Sequence, residues 1–157
     1  MDFYSEIIDL ILLGKINSKE KLHKTKIRLC KKYDLIDIPS DSKILSKIPS
    51  DLSEEDEELL VSILRRKSMR TISGVAIVAV MTSPESCPHG KCIPCPGGPI
   101  NNTPQSYTGH EPAAMRASLN NFDPYLQTKN RIKQLKAIGH PVDKIDFIIM
   151  GLSLIHI

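Results

Sequence analysis

The chain has 157 residues, 41% hydrophobic and 25% charged, with a formal net charge of +3, as expected of globular structure in one domain or two small ones. That charge is too mild to require a polyanionic partner by itself, and with 4% aromatics and no Trp any core must be built from Ile, Leu, Val and Met. There is no apolar run of about 18 residues to span a membrane, and the acids Asp2, Glu6 and Asp9 argue against a signal peptide, so a reducing, cytoplasmic setting is expected.

Phe3, Ile7, Ile8, Leu10 and Ile11 fall at helical spacing and predict a helix from Asp2 to Leu13, ended by Gly14. Asn17 is placed to cap a second helix reaching about Tyr33, with Glu20 in the capping-box position. Between Lys15 and Lys32 stand eight Lys or Arg against the single acid Glu20. Lys21, Lys24, Arg28 and Lys31, three or four apart, share one helical face. Such a face is either ordinarily solvated or a footprint for a phosphate backbone. Pro39 and Pro49 bound a weaker segment. Ser53 then caps an acidic first turn, Glu54 to Glu57, and Arg65, Arg66 and Lys67 suit the C-terminus of that helix. Residues 1–68 therefore read as a helical unit.

The pattern changes at Arg70. "TISGVAIVAVM", Thr71 to Met81, is β-branched and apolar almost throughout, as a strand buried on both faces would be. Glu111 to Leu119 reads as a helix, and Asp123-Pro124 opens another that Gly139 ends. "IDFIIM", Ile145 to Met150, is a second apolar strand. A strand, a long crossover with helices and a second strand make a βαβ unit whose strands run parallel. The fold class expected is α/β.

Directly after the first strand comes "CPHGKCIPCPGGP", Cys87 to Pro99. Its prolines and glycines exclude helix and strand, and Cys87, Cys92 and Cys95 put three thiols within nine residues. In a reducing compartment clustered cysteines read as metal ligands before disulfides. Zinc would want four ligands, which three thiolates and His89 could supply. A 4Fe–4S cluster held by three cysteines keeps one iron open. His89 reads either as a ligand or as a neighbour of one, Lys91 as a solvated charge, and the distant Cys30 as a structural thiol.

The runs "RTISGVAIVAVMTSPESCPHGKCIPCPGGP", "TPQSYTGHEPAAMR" and "NNFDPYLQTKNRIKQLKAIGHPVDKIDFIIMG" closely resemble the catalytic subunit family of Elongator, in its archaeal form. The resemblance covers about residues 65–151, and residues 1–64 match more loosely as a helical N-terminal region. It implies the first βαβ unit of a radical S-adenosylmethionine partial barrel over residues 69–151, tRNA as substrate, and 4Fe–4S, S-adenosylmethionine and acetyl-CoA as cofactors. Cys87, Cys92 and Cys95 would hold the cluster, Gly151 would lie at the S-adenosylmethionine site, and Lys144 falls on a lysine associated with acetyl-CoA. In that family a deoxyadenosyl radical abstracts hydrogen from the acetyl methyl, and the carbon radical adds to the wobble uridine at C5, leading to carboxymethyluridine. No side chain is assigned a direct catalytic role. Partner subunits of Elongator type and a homodimer stay open.

Two departures stand out. Pro94 occupies a position where the family usually has an aromatic residue, and "LSLIHI", 152–157, replaces a glycine-rich continuation. That hexapeptide back-translates to a sequencing-adapter end, so it is expected to be a non-native tail, His156 no ligand, and the chain an incomplete enzyme inactive alone. The alternative from a different class is a zinc-stabilised RNA-binding module without catalysis; a nonfunctional truncated product is the third.

Overall fold

The computed structural model describes residues 2–151, so the tail 152–157 and His156 lie outside the described residues. The chain divides into two compact units, Met1–Gly74 with Leu135–Pro141, and Val75–Gln134 with the described part of Val142–Ile157. No helix of the described residues is long and apolar enough to cross a membrane.

The first unit holds α1 (Phe3–Leu12), α2 (Lys19–Lys32), α3 (Asp41–Leu45) and α4 (Glu54–Leu64). Helical periodicity sorts their apolar residues onto inner faces: Ile7 and Ile11 of α1, Leu22 and Leu29 of α2, Ile44 of α3, and Leu60 and Leu64 of α4 form one core with Phe3, Ile16 and Cys30. Each fully buried aliphatic side chain is worth about 1.5–3 kcal/mol. At the end of α1 the Lys15 amide donates to the Leu10 carbonyl and the Gly14 amide to that of Ile11, a Schellman closure. Gly14 sits there at φ 69°, the left-handed geometry glycine adopts without strain. The cap of α2 is Ser18, not Asn17: its Oγ accepts from the Lys21 amide at 3.3 Å. With the cap one residue later, Glu20 is out of capping-box register and instead pairs with Lys24 at 2.6 Å. Ser53 caps α4 as expected, accepting from Asp56 N. The basic run Arg65–Lys67 lies past the last turn of α4 instead of within it. Arg65 Nε donates to the Gly139 carbonyl at 2.7 Å, which draws residues 135–141 onto this unit.

Ion pairs tie the helices. Lys32 Nζ and the Tyr33 hydroxyl both donate to Glu6 Oε2, α2 onto α1, and the Lys32 bond foremost holds the Glu6 carboxyl below its ordinary pKa. Asp41 receives Lys26 on Oδ1 at 2.9 Å and Lys19 on Oδ2 at 3.1 Å. Burial alone would raise the Asp41 pKa, but the hydrogen bonds from Lys26 and Lys19 outweigh it, and the carboxyl lies below its ordinary value.

In the second unit β1 (Ala76–Met81) and β2 (Ile145–Met150) pair in parallel, Ala76 opposite Ile145 through Met81 opposite Met150, as the βαβ pattern predicts. Between them lie α5 (Pro112–Leu119) and the greater part of α6 (Pro124–Ala137). Met81, Ala114, Ala117 and Phe122 make the core, with Tyr107 and Met150 against it. β1 begins at Ala76, five residues later than its apolar run, because Ser68–Thr71 wind into a 3₁₀ turn and Gly74 turns at φ 75°. β2 departs further from expectation. It is not buried on both faces, for Phe147 is 47% and Ile149 55% exposed. Among the described residues the sheet has two strands; α5 packs on β1, and the cover that an apolar strand requires is not supplied to β2.

The Asp41 pairing sets a pH dependence. A carboxyl held below its ordinary value of 3.8 contributes stability that is present above that pH and is lost as pH falls through the folded value. Asp41→Asn should therefore lower stability at pH 7 by about 2 kcal/mol, the worth of a hydrogen bond to a charged group. The deficit relative to the unmutated chain should shrink in urea titrations repeated toward pH 3. A deficit constant with pH would disprove the assignment.

Candidate functional site

The cysteine loop leaves the C-terminal end of β1, the end at which open α/β sheets place their sites. Four prolines deny it amide donors and regular structure. Its geometry comes from two tight turns, Gly90 N to Cys87 O and Cys95 N to Cys92 O, and from a second segment, Thr103–Tyr107, laid against it. Gln105, buried, accepts from the Cys87 amide at 3.3 Å and donates to the Gly90 carbonyl at 3.4 Å. Thr103 Oγ1 accepts from the Gly98 amide at 3.1 Å. Gly97 lies so close to this segment that a Cβ there would fall 2.0 Å from the Tyr107 carbonyl oxygen and 2.3 Å from Thr103 Oγ1. A small pocket of about 190 Å³ opens beside Cys87, Lys91, Gly97 and Gln105.

All three cysteines are free and half-buried, and Cys30 is buried in the helical unit. Cys92 Sγ lies 3.2 Å from His89 Nε2, and Cys95 Sγ lies 3.8 Å from the Ser106 hydroxyl. Among the described residues no three side chains of His, Cys, Asp or Glu are drawn into one coordinating set. The loop thus gathers three soft donors on one stretch of irregular backbone, each sulfur with its own neighbours. Those cysteines are the residues with the donor chemistry for a soft metal or an iron–sulfur group; binding one would draw them together.

Two other positions sort by sheet end. Gly151 follows β2 at the same end as the loop, where the ladder continues from Thr82 N to the Met150 carbonyl. A Cβ at Gly151 would fall 2.6 Å from Thr82 Oγ1, so any larger residue there would displace the Thr82 side chain. Lys144 stands at the opposite end, its carbonyl accepting from Ala76 N at 2.9 Å and its side chain exposed. Six strand residues, ~20 Å at ~3.3 Å each, lie between these ends. Lys144 and the cysteine loop are not brought together. Glu111 takes bonds from the Thr108 amide and hydroxyl and from the Gly109 amide. Foremost through the Thr108 amide its pKa is lowered. The "HEPAAMR" start is thus a tied turn into α5, with Pro112 at its first position. In the helical unit Lys21, Lys24, Arg28 and Lys31 are all exposed on α2, and Lys24 is already paired with Glu20.

Gln105, Thr103 and Ser106 escape the sequence reading. The available signal is "TPQSY", polar side chains in a segment with no ladder of its own, next to a loop whose amides need partners.

The ELP3 N-terminal domain family matches residues 1–72. The chain is 53% identical over 150 residues to the tRNA uridine(34) acetyltransferase of Methanocaldococcus jannaschii, covering 92% of this chain and 27% of that protein. It is 54% identical over 142 residues to the same-named protein of Methanocaldococcus infernus (88% and 26%). It is 42% identical over 155 residues to Elongator complex protein 3 of Drosophila melanogaster (93% and 27%). The chain spans about a quarter of the length of these curated relatives.

Exposure of the thiols gives a direct check. Under anaerobic conditions the folded, metal-free chain should react with Ellman's reagent at three cysteines promptly, and at Cys30 only after denaturant is added. Gly97→Ala should cost at least ~2 kcal/mol, as an overpacked contact does, and should raise proteolysis within residues 87–107. A fourth thiol reacting as fast in the native chain, or a Gly97→Ala chain cleaved at the original rate, would count against this geometry.

Proposed function

The chain belongs to the family of Elongator complex protein 3 and the archaeal tRNA uridine(34) acetyltransferases, and on that premise we propose that it is part of a radical S-adenosylmethionine enzyme modifying the wobble uridine of tRNA. The overall reaction places a carboxymethyl group derived from acetyl-CoA on uridine C5. The observation that carries the proposal is the loop of three free, half-buried thiols at the C-terminal end of a parallel strand. On this reading β1 and β2 are strands of a partial (β/α) barrel.

The donor set fits a 4Fe–4S cluster: three soft thiolates on a backbone that glycine and proline keep out of regular structure. When bound, such a cluster supplies an open iron that chelates S-adenosylmethionine and passes it one electron. The protein's own side chains do the rest. Gln105 fixes the start of the loop by holding Cys87 N and Gly90 O. Ser106 offers a hydroxyl to Cys95 Sγ, a contact that stabilises electron-rich sulfur and raises a cluster's potential. Gly151, packed against the Thr82 side chain, lies at the cofactor's amino-acid end. Lys144 contacts acetyl-CoA at the other end of the sheet. The exposed face of Lys21, Lys24, Arg28 and Lys31 holds tRNA phosphates in a cytoplasmic protein.

One observation favours a second reading. His89 Nε2 beside Cys92 Sγ offers the fourth donor that tetrahedral zinc needs, which would make the chain a zinc-stabilised RNA-binding module without catalysis.

Anaerobic reconstitution with iron and sulfide decides between them. The expected product is brown, with about four iron and four sulfide per chain as the cluster formula requires. Cys87→Ala, Cys92→Ala or Cys95→Ala should each lower bound iron at least tenfold, while Cys30→Ala leaves it unchanged. A colourless chain holding one zinc, lost on His89→Ala, would establish the second reading; full iron loading in any of the three cysteine variants would sink the first. For the RNA face, reversing Lys21, Lys24, Arg28 and Lys31 to Glu should weaken tRNA binding and flatten the slope of log affinity against log salt. An unchanged slope would return that face to ordinary solvation.

A further inference from the structure

A second basic feature of the helical unit lies apart from the outward face of α2. A pocket of about 440 Å³ is lined by Lys19 and Lys26 of α2, Asp41 of α3, and Arg66 and Lys67 beyond α4. Its charges do not cancel. Asp41 spends both carboxylate oxygens on Lys26 and Lys19, which leaves that trio at +1. Arg66 and Lys67 bring the pocket to +3, and among the described residues neither of those side chains has a carboxylate partner.

Burial makes this more than a solvated patch. The Lys26 side chain is 8% exposed, an unusual setting for an ammonium, and Leu64 and Ile138 furnish apolar wall, where charge interactions are screened less than in water. Lys67 is held at φ 57°, a geometry non-glycine residues keep only where their surroundings impose it. The hydroxyls of Ser40 and Ser42, 3.0 Å apart at the rim, add neutral donors. Ammonium groups, a guanidinium fork and hydroxyls around one concavity suit a ligand with several anionic oxygens on one centre. A single carboxylate would leave most of that charge unanswered.

We infer that this pocket is a discrete phosphate site, taking one backbone phosphate of an RNA chain. The RNA assignment rests on the tRNA reading above; the phosphate site does not. Arg66 and Lys67 are the groups it leaves for the ligand, and Lys26 with Asp41 forms its fixed floor.

Inorganic pyrophosphate is the probe for the site and tRNA for its source. Titration calorimetry of the whole chain at low salt should detect pyrophosphate binding. Arg66→Ala with Lys67→Ala should weaken it at least tenfold with the melting temperature unchanged, since both side chains are exposed. At moderate salt, neutralising Lys21, Lys24, Arg28 and Lys31 to Gln should weaken pyrophosphate binding far less than Arg66→Ala with Lys67→Ala does. With tRNA, the Arg66→Ala, Lys67→Ala chain should lose roughly one unit of the log affinity against log salt slope, about one per phosphate contact removed. Absence of pyrophosphate binding, or binding indifferent to Arg66 and Lys67, overturns the site. If those substitutions abolish pyrophosphate binding while tRNA affinity and slope stay the same, the RNA assignment falls and the broader tRNA reading stands. A chain that takes pyrophosphate but no tRNA overturns both RNA statements.

Discussion

Two parallel strands cannot be joined by a tight turn; the chain must travel back along the whole sheet before it can pair again. That requirement organises the second unit. Everything from Thr82 to Lys144 is one crossover between β1 and β2, and the cysteine loop, its supporting segment and two helices all have to fit within it. The loop stands at the C-terminal end of β1 because the crossover begins there. Lys144 stands at the N-terminal end of β2 because the crossover finishes there. Their separation is a consequence of strand direction.

The crossover also has to satisfy its own backbone, and it does so with side chains. The amide of Gln127 on α6 meets both the N–H and the carbonyl of Met81 at 2.9 Å, serving the last residue of β1 as a neighbouring strand would. Gln105 does the same for the loop. Two buried glutamines therefore stand in for missing ladders, and both belong to the class of buried polar groups retained because they are fully bonded. In the helical unit the equivalent service is electrostatic. Of the basic residues on α2, Lys19 and Lys26 are committed to Asp41, Lys24 to Glu20 and Lys32 to Glu6. The excess positive charge visible in the sequence is thus partly internal structure.

Much of this was legible beforehand for a physical reason: helix faces and strands are written in periodicity. α1, α5, α6 and β2 stand within a residue or so of where the sequence signals put them, and parallel pairing follows from the intervening length. What misled was local. Ser18 and Asn17 are both good caps, and only backbone geometry decides which is extended. The apolar run from Thr71 is continuous through Gly74, yet a glycine turn divides it, and composition alone does not separate the 3₁₀ piece from the strand. An apolar strand announces that it requires cover, not that the residues at hand provide it, so the exposure of β2 was not readable from its own six residues. For the site, the thiols announce themselves by spacing, whereas Gln105 and Thr103 act across the loop and leave no periodic trace. Family resemblance named the three thiols and Gly151; it was silent on what holds them.

The two fixed points of the cysteine loop decide where its length can change. Gln105 pins the stretch from Cys87 to Gly90, and Gly97 is wedged against Thr103 and Tyr107. Between these anchors only the six residues from Lys91 to Pro96 are spanned without such a tie. A change of length within that window would leave both anchors, β1 and α5 in place, whereas one added residue between Gly97 and Gln105 would break both anchors at once. Changes of loop length that spare both anchors are thereby confined to a single short window of the chain.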